Sequence, residues 1–269
     1  MKKKNPPRQK TRMFMLLFSF AFFPITVLYL SPASPLLSLK AGVINLSVFT
    51  VAAVLLSGFI FRRAFCGWLC PGGGCQLISG SLNEKRIEVK KTNWVRIGLV
   101  TVWVIVMIVS VVSAETEPRI EPLHPGAGRF ATSDIRWFLP YIPVVVTMFL
   151  FILMFGRRGF CARGCWIYPL IASTSKIGQV LHLPSLYVRA VDLDNCKNCK
   201  ICTKICPMSI DVNETIKQRK PLPNNCIQCG LCIDECPRGV YAFAFGIEKH
   251  HKIPHTQKVT GSNPVSPTS

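Results

Sequence analysis

The sequence predicts an α-helical integral membrane protein with four transmembrane helices and a small α+β domain at its C-terminal end. Three observations carry that prediction: four long apolar runs, basic residues concentrated between alternate runs, and a cysteine run that recurs 30 residues later. Of the 269 residues, 49% are hydrophobic and the mean hydropathy is +0.34, more apolar than a water-soluble domain needs.

The apolar runs are Met13 to Leu30, Ala41 to Phe61, Trp94 to Ala114 and Trp137 to Phe155. Each is close to the ~20 residues that cross ~30 Å of hydrocarbon, and none holds an acidic residue. Pro24 falls in the first run, and Pro140 and Pro143 in the last; helices packed against neighbours tolerate such kinks. A cleavable signal peptide is the alternative for the first run. Its bulk in Phe and Leu, and the three runs that follow, favour a span.

Orientation follows from lysine and arginine. Six precede the first run (Lys2, Lys3, Lys4, Arg8, Lys10, Arg12), and six lie between the second and third (Arg62, Arg63, Lys85, Arg86, Lys90, Lys91). The segment Ser31 to Lys40 has only Lys40, and Glu115 to Arg136 sets three arginines against Glu115, Glu117, Glu121 and Asp134. Arg157, Arg158 and Arg163 follow the last run. The expectation is a multi-pass inner-membrane protein with both termini cytoplasmic. The net charge of +19 is explained by anionic lipid or an acidic redox partner, because the basic residues gather at run ends; no nucleic-acid partner is expected.

All 13 cysteines fall on the side assigned to the reducing compartment, which disfavours disulfides. Eight of them form Cys196-x2-Cys199-x2-Cys202-x3-Cys206-Pro207 and its copy Cys226-x2-Cys229-x2-Cys232-x3-Cys236-Pro237. Three thiolates two residues apart wrap one corner of a [4Fe–4S] cluster, while the fourth, ahead of proline, is carried to the other cluster. The expected ligand sets are Cys196, Cys199, Cys202 and Cys236 for one cluster, and Cys226, Cys229, Cys232 and Cys206 for the other. A zinc site would leave the third cysteine and the Cys-Pro endings unexplained. The C-terminal part is therefore expected to be a two-cluster [4Fe–4S] ferredoxin-like α+β domain that moves electrons, its folding coupled to cluster insertion.

Two further pairs, Cys66 with Cys70 and Cys161 with Cys165, follow double-arginine exits from the second and fourth runs. The i, i+4 spacing puts each pair on one face of a helix. They form a possible second redox or metal site, either as four thiols on one metal or as two dithiol pairs. Burial as small apolar residues at a helix junction is the structural alternative. Cys75 lies outside both patterns.

The organisation expected is a basic tail over 1–12, the four-helix region with its two Cys-x3-Cys motifs over 13–165, a connector over 166–190, the ferredoxin-type domain over 191–247 and a disordered polar tail over 248–269. Trp166 to Leu183 reads either as an amphipathic surface helix or as a packed one. His250, His251 and His255 are a weak metal set in a solvated tail. No Walker loop, no dinucleotide Gly-x-Gly-x-x-Gly and no Cys-x-x-Cys-His haem run is present, so NADH oxidation or covalent haem would need another subunit.

The four runs, Cys66-x3-Cys70-Pro71, the related Cys161/Cys165 pair and the duplicated cluster motif together resemble the NapH/MauN-like family, the ferredoxin-type membrane quinol dehydrogenase subunits of periplasmic nitrate reductase systems. The resemblance covers residues 13 to 247. It implies electron flow from the membrane quinone pool, with quinol as substrate, through two [4Fe–4S] clusters to a partner iron–sulfur or cytochrome subunit and on to a periplasmic reductase. It would make the chain a quinol dehydrogenase subunit in a lipid bilayer. The chain departs from the pattern where Trp166 follows Cys165 in place of proline. The alternative function is an assembly or maturation factor that reduces a metal or thiol on a client protein. His124, and more weakly Glu117 and Glu121, are candidate acceptors of a quinol proton.

Overall fold

The computed structural model describes residues 6–31, 33–40, 42–79, 83, 85–87, 93–113, 119–120, 141–218 and 221–247. His124, Glu117, Glu121 and the 248–269 tail with its histidines lie outside these residues. The chain opens with α1 (Pro7–Ala21), α2 (Phe23–Leu30) and α3 (Ala33–Lys40), followed by β1 (Val43–Ile44), α4 (Leu46–Phe61), α5 (Ala64–Trp68) and α6 (Pro71–Ser79). After these come α7 (Asn93–Val112), β2 (Arg119–Ile120), α8 (Tyr141–Phe155), α9 (Gly159–Arg163) and α10 (Ile167–Val180). Proline opens α1 and α6, where a missing N–H costs no helical bond.

The expected four-span integral membrane fold is overturned, and the multi-pass inner-membrane location with it. Among the described residues, no helix is long and apolar enough to cross a membrane. In the first and second runs the apolar stretch is not one continuous helix. Phe22 leaves helical geometry (φ −91°, ψ 22°) and divides the first run into α1 and α2. The second run begins at β1 and leaves 16 residues to α4, about 24 Å at 1.5 Å per residue. Helix α8 has 15 residues, about 22 Å. Phe18, Leu56, Ile105, Leu150 and Met154 remain exposed on α1, α4, α7 and α8, and this apolar surface is what the hydropathy registered.

The C-terminal part consists of β3 (Ser185–Ala190), α11 (Ile201–Lys204), α12 (Val212–Lys217), α13 (Leu231–Asp234) and β4 (Tyr241–Gly246). Strands β3 and β4 pair antiparallel, Ser185 opposite Gly246 through Ala190 opposite Tyr241, and close the domain end to end. The cysteine duplication is also a backbone duplication. Left-handed residues recur 30 positions apart: Asn198 and Gln228, Lys200 and Gly230, Ser209 and Gly239. So do the bonds Cys206 N–H to Thr203 O at 3.3 Å and Cys236 N–H to Ile233 O at 3.4 Å. Each repeat is a loop, one helical turn and a Cys-Pro turn.

One apolar core joins the two parts. It runs from Val54 on α4 through Ile167, Tyr168 and Ile171 on α10 to Val188, Ile210, Val212, Ile227 and Val240. Helix α10 is a packed helix rather than a surface connector, with Ile171 fully buried and Ser175 at 1% exposure. The basic segment expected as a tail is helical from Pro7. Arg8 pairs with Asp234, and Gln9 donates to Cys229 O at 2.9 Å. The N-terminal helix thereby holds the second cysteine loop in place.

Candidate redox site

Cys206, Cys226, Cys229 and Cys232 line one cavity, whose remaining wall is Val188, Met208, Ile210, Val212, Leu222 and Ile227. The last cysteine of the first run has therefore crossed to the first three of the second. The Tyr241 hydroxyl lies 3.3 Å from Cys202 Sγ, and burial, then Cys202 and the neighbouring Cys196 and Cys236, push its pKa up. Asn213 Nδ2 donates to Cys196 Sγ at 3.7 Å. Cys199 faces solvent. Asp211 fixes this corner by accepting from Thr203 Oγ1 at 3.0 Å and from Glu214 N–H at 3.2 Å, which caps α12.

The thiols gather loosely. Among the described residues, no three His, Cys, Asp or Glu side chains close on a point where a single metal ion would sit. A tetrahedral zinc, with Zn–S of about 2.3 Å, would draw its thiolates to about 3.8 Å of one another. A larger inorganic core suits these cavities better. Burial, reinforced by Cys229, pushes Cys206 up to about 11 and Cys226 up to about 12, and Cys232 is raised further by burial and by Cys226. Bare thiolates are disfavoured here, so ionisation needs the positive charge of bound iron.

The second thiol group is built at the junction of the two parts. Cys66 lies in α5 and Cys161 in α9, each in a five-residue helix, and Cys70 and Cys165 end the turns that follow. Each of Cys66, Cys70 and Cys165 is raised first by burial and then by neighbouring thiols of the same set, so the four stand together; Cys70 is pushed up to about 12. Gln76 Nε2 donates to Cys161 Sγ at 2.9 Å and its Oε1 accepts from Cys161 N–H at 3.3 Å. Cys70, Cys161 and Cys165 also line a cavity of about 410 Å³ with Phe65, Met148, Phe160 and Trp166. Cys75 stands apart, buried against Phe23 and Met148.

Gly67 joins this group to the cluster loop. A Cβ on Gly67 would lie 2.2 Å from Ile227 O. Trp68 Nε1 donates to Gln228 O at 3.0 Å, and Arg63 Nη1 to Asn225 O at 2.9 Å. The segment bearing Cys66 rests directly on the one bearing Cys226.

A 4Fe-4S dicluster domain model matches residues 190–244, the span of the duplicated cysteines, and a 4Fe-4S binding domain model matches residues 43–89. Over 201 residues the chain is 27% identical to the ferredoxin-type protein NapH of Haemophilus influenzae, covering 71% of this chain and 65% of that protein. It is 24% identical to NapH of Escherichia coli, covering 80% and 75% of the two chains. It is 26% identical to the methylamine utilisation ferredoxin-type protein MauN of Methylorubrum extorquens, covering 78% and 72%. The chain is related to the NapH and MauN ferredoxin-type proteins. This NapH/MauN-like chain is a 4Fe-4S electron-transfer protein, and it spans just under two thirds of the Haemophilus relative. No solved structure matches it.

Sequence reasoning missed Gln76, Gly67, Trp68, Asn213 and Tyr241, whose partners are distant along the chain. It also missed the role of Arg63 and Arg158. A signal for those two existed, because Arg62-Arg63-Ala64-Phe65-Cys66 and Arg157-Arg158-Gly159-Phe160-Cys161 are copies of one motif.

Proposed function

We propose that this chain accepts electrons from a quinol and relays them singly to a partner iron–sulfur or cytochrome subunit toward a reductase system. In this reading one [4Fe–4S] cluster is held by Cys196, Cys199, Cys202 and Cys236 and the other by Cys206, Cys226, Cys229 and Cys232. When bound, the clusters take one electron at a time and so split a two-electron donor. The observation that carries the reading is the 410 Å³ cavity beside Cys70, Cys161 and Cys165, within the roughly 300–1,000 Å³ of small-molecule sites.

The lining suits a flat apolar ring. Phe65, Phe160 and Trp166 offer aromatic faces, and Val144 and Met148 offer aliphatic ones. Thr147 Oγ1 spends its proton on Pro143 O at 2.6 Å and keeps lone pairs for a quinol hydroxyl. The Gly67 contact then connects this region to the loop of Cys226. At the other end Cys199 is exposed, with Lys197, Lys200 and Lys204 exposed around it, a basic exit for an acidic redox partner. A maturation factor that exchanges thiols with a client needs accessible sulfur, whereas Cys66, Cys161 and Cys165 are 3%, 5% and 8% exposed.

The test is electron paramagnetic resonance on the anaerobically purified chain after adding a reduced menaquinol analogue. At least one [4Fe–4S]+ signal is expected with quinol. Val144→Trp, which fills the cavity, is expected to abolish reduction by quinol and leave reduction by dithionite intact. Reduction of the wild type by dithionite alone would overturn the reading.

A further inference from the structure

Residues 62–70 and 157–165 are a second internal duplication, 95 positions apart, and both copies close with the same pair of backbone bonds. In the first copy, Leu69 and Cys70 N–H both donate to Phe65 O at 3.0 Å. In the second, Gly164 and Cys165 N–H donate to Phe160 O at 2.8 and 2.9 Å. Positive φ falls at the entrance of each turn but one position out of step, on Arg62 in the first copy and on Arg158, the counterpart of Arg63, in the second. Each copy delivers two cysteines and a deeply buried arginine at the equivalent position, Arg63 at 1% exposure and Arg158 at 4%; Arg62, also buried, turns away to Ser185 Oγ at 3.2 Å and the Tyr187 ring.

We infer that Cys66, Cys70, Cys161 and Cys165 ligate a third [4Fe–4S] cluster, held between the two copies of this motif. The 4Fe-4S binding domain model covers Cys66, Cys70 and Cys75 and ends at residue 89, short of the second pair. The second pair is joined to it by the fold.

Charge points the same way. Arg63 lies beside Cys66, its Nη1 donating to Asn225 O at 2.9 Å and its guanidinium over the Tyr168 ring, and Arg158 Nη1 donates to Cys66 O at 3.2 Å. Neither has an acidic partner among the described residues, and Arg63 Nε has no acceptor at all. A buried guanidinium without a counter-charge costs several kcal/mol, so an anion belongs here. An oxidised [4Fe–4S] core with four thiolates carries two net negative charges, matching the two arginines. Four neutral thiols supply none, and four bare thiolates supply twice what the arginines balance.

The ligand set is four cysteines, two from each copy, the number a [4Fe–4S] core takes. A donor to sulfur is already in place, Gln76 Nε2 on Cys161 Sγ at 2.9 Å. Such a donor stabilises a cluster thiolate and raises the potential. The added step is transfer of one electron at a time from the quinol to this cluster and on to the one at Cys226, with no bond made or broken at the metal. The inference draws its reductant from the quinol reading, while occupancy of the site is independent of it.

The experiment is iron, acid-labile sulfide, zinc and copper analysis of the full chain purified without oxygen, alongside Cys161→Ser/Cys165→Ser. Three clusters predict about twelve iron and about twelve sulfide per chain, falling to about eight of each in the double variant with the paired-cluster signal retained. About eight iron in the wild type, or one zinc or copper per chain at this site, overturns the inference. Should the double variant fail to fold, the wild-type count still decides. Twelve iron without reduction by quinol would sink the quinol reading and leave this one standing.

Discussion

Gly67→Ala isolates the junction between the thiol group and the cluster loop. Gly67 needs no unusual backbone angle; what it provides is close approach, because an added Cβ would sit 2.2 Å from Ile227 O. That is about 1 Å inside an ordinary carbon–oxygen contact of ~3.3 Å. The obstacle is backbone, so α5 or the Asn225–Gln228 loop must recede by about that distance. The movement also stretches the 3.0 Å Trp68–Gln228 and 2.9 Å Arg63–Asn225 bonds. Overpacking costs about 1–3 kcal/mol and each weakened bond about 1 kcal/mol, or about 2–5 kcal/mol in all. For a chain of this size the expected fall in Tm is about 5–20 °C. Gly98→Ala is the control, since nothing lies within 4 Å of its added Cβ, and it should match or slightly exceed wild-type stability. Anaerobic thermal unfolding reads the stability, and redox-poised paramagnetic resonance should show the Cys226 cluster shifted with its partner unchanged. Equal Tm and identical spectra in Gly67→Ala and wild type would refute this account of the junction.

Tyr241→Phe removes the hydroxyl 3.3 Å from Cys202 Sγ. The reduced cluster, more negative by one electron, gains more from that bond, so the potential of the Cys202 cluster should drop by about 40 mV per kcal/mol of difference. Potentiometric titration checks this, and an unchanged or higher potential would count against the hydrogen bond. Chain stripped of metal should lose stability in alkali. Its fold favours neutral thiols, with Cys206 at about 11 and Cys70 and Cys226 at about 12, against an ordinary value of 9.0. That contribution is complete below pH 9 and disappears as the pH rises to 11–12, because only the unfolded thiols ionise readily there. Urea unfolding at pH 8 and 11 should show the loss, reduced in Cys206→Ala/Cys226→Ala. An equal loss in both proteins would assign it to other groups.

The ferredoxin domain was legible because its ligands are local. The Cys-x2-Cys-x2-Cys-x3-Cys-Pro spacing encodes both the loop and the crossing of the fourth thiol, and its copy 30 residues on carries the same backbone turns. The membrane reading failed because composition registers apolar side chains and not helix continuity; Phe22 and β1 interrupt runs that look unbroken in the sequence. Counting arginines misled for a related reason. Arg63 and Arg158 scored as cytoplasmic loop charge, yet they are buried beside thiols, and Arg8 scored as tail while it grips Asp234. The cavity was out of reach of the sequence, since Phe65, Val144 and Trp166 meet only through the packing of α5, α8 and the start of α10.

Electron paramagnetic resonance of the full chain, purified without oxygen and reduced with dithionite, tests the central claim most directly. Two [4Fe–4S]+ centres that broaden each other magnetically are the predicted result, because the proposed ligand sets exchange Cys206 and Cys236 between the two sites. A single isolated centre, or a zinc-loaded chain with no reducible signal, would contradict it.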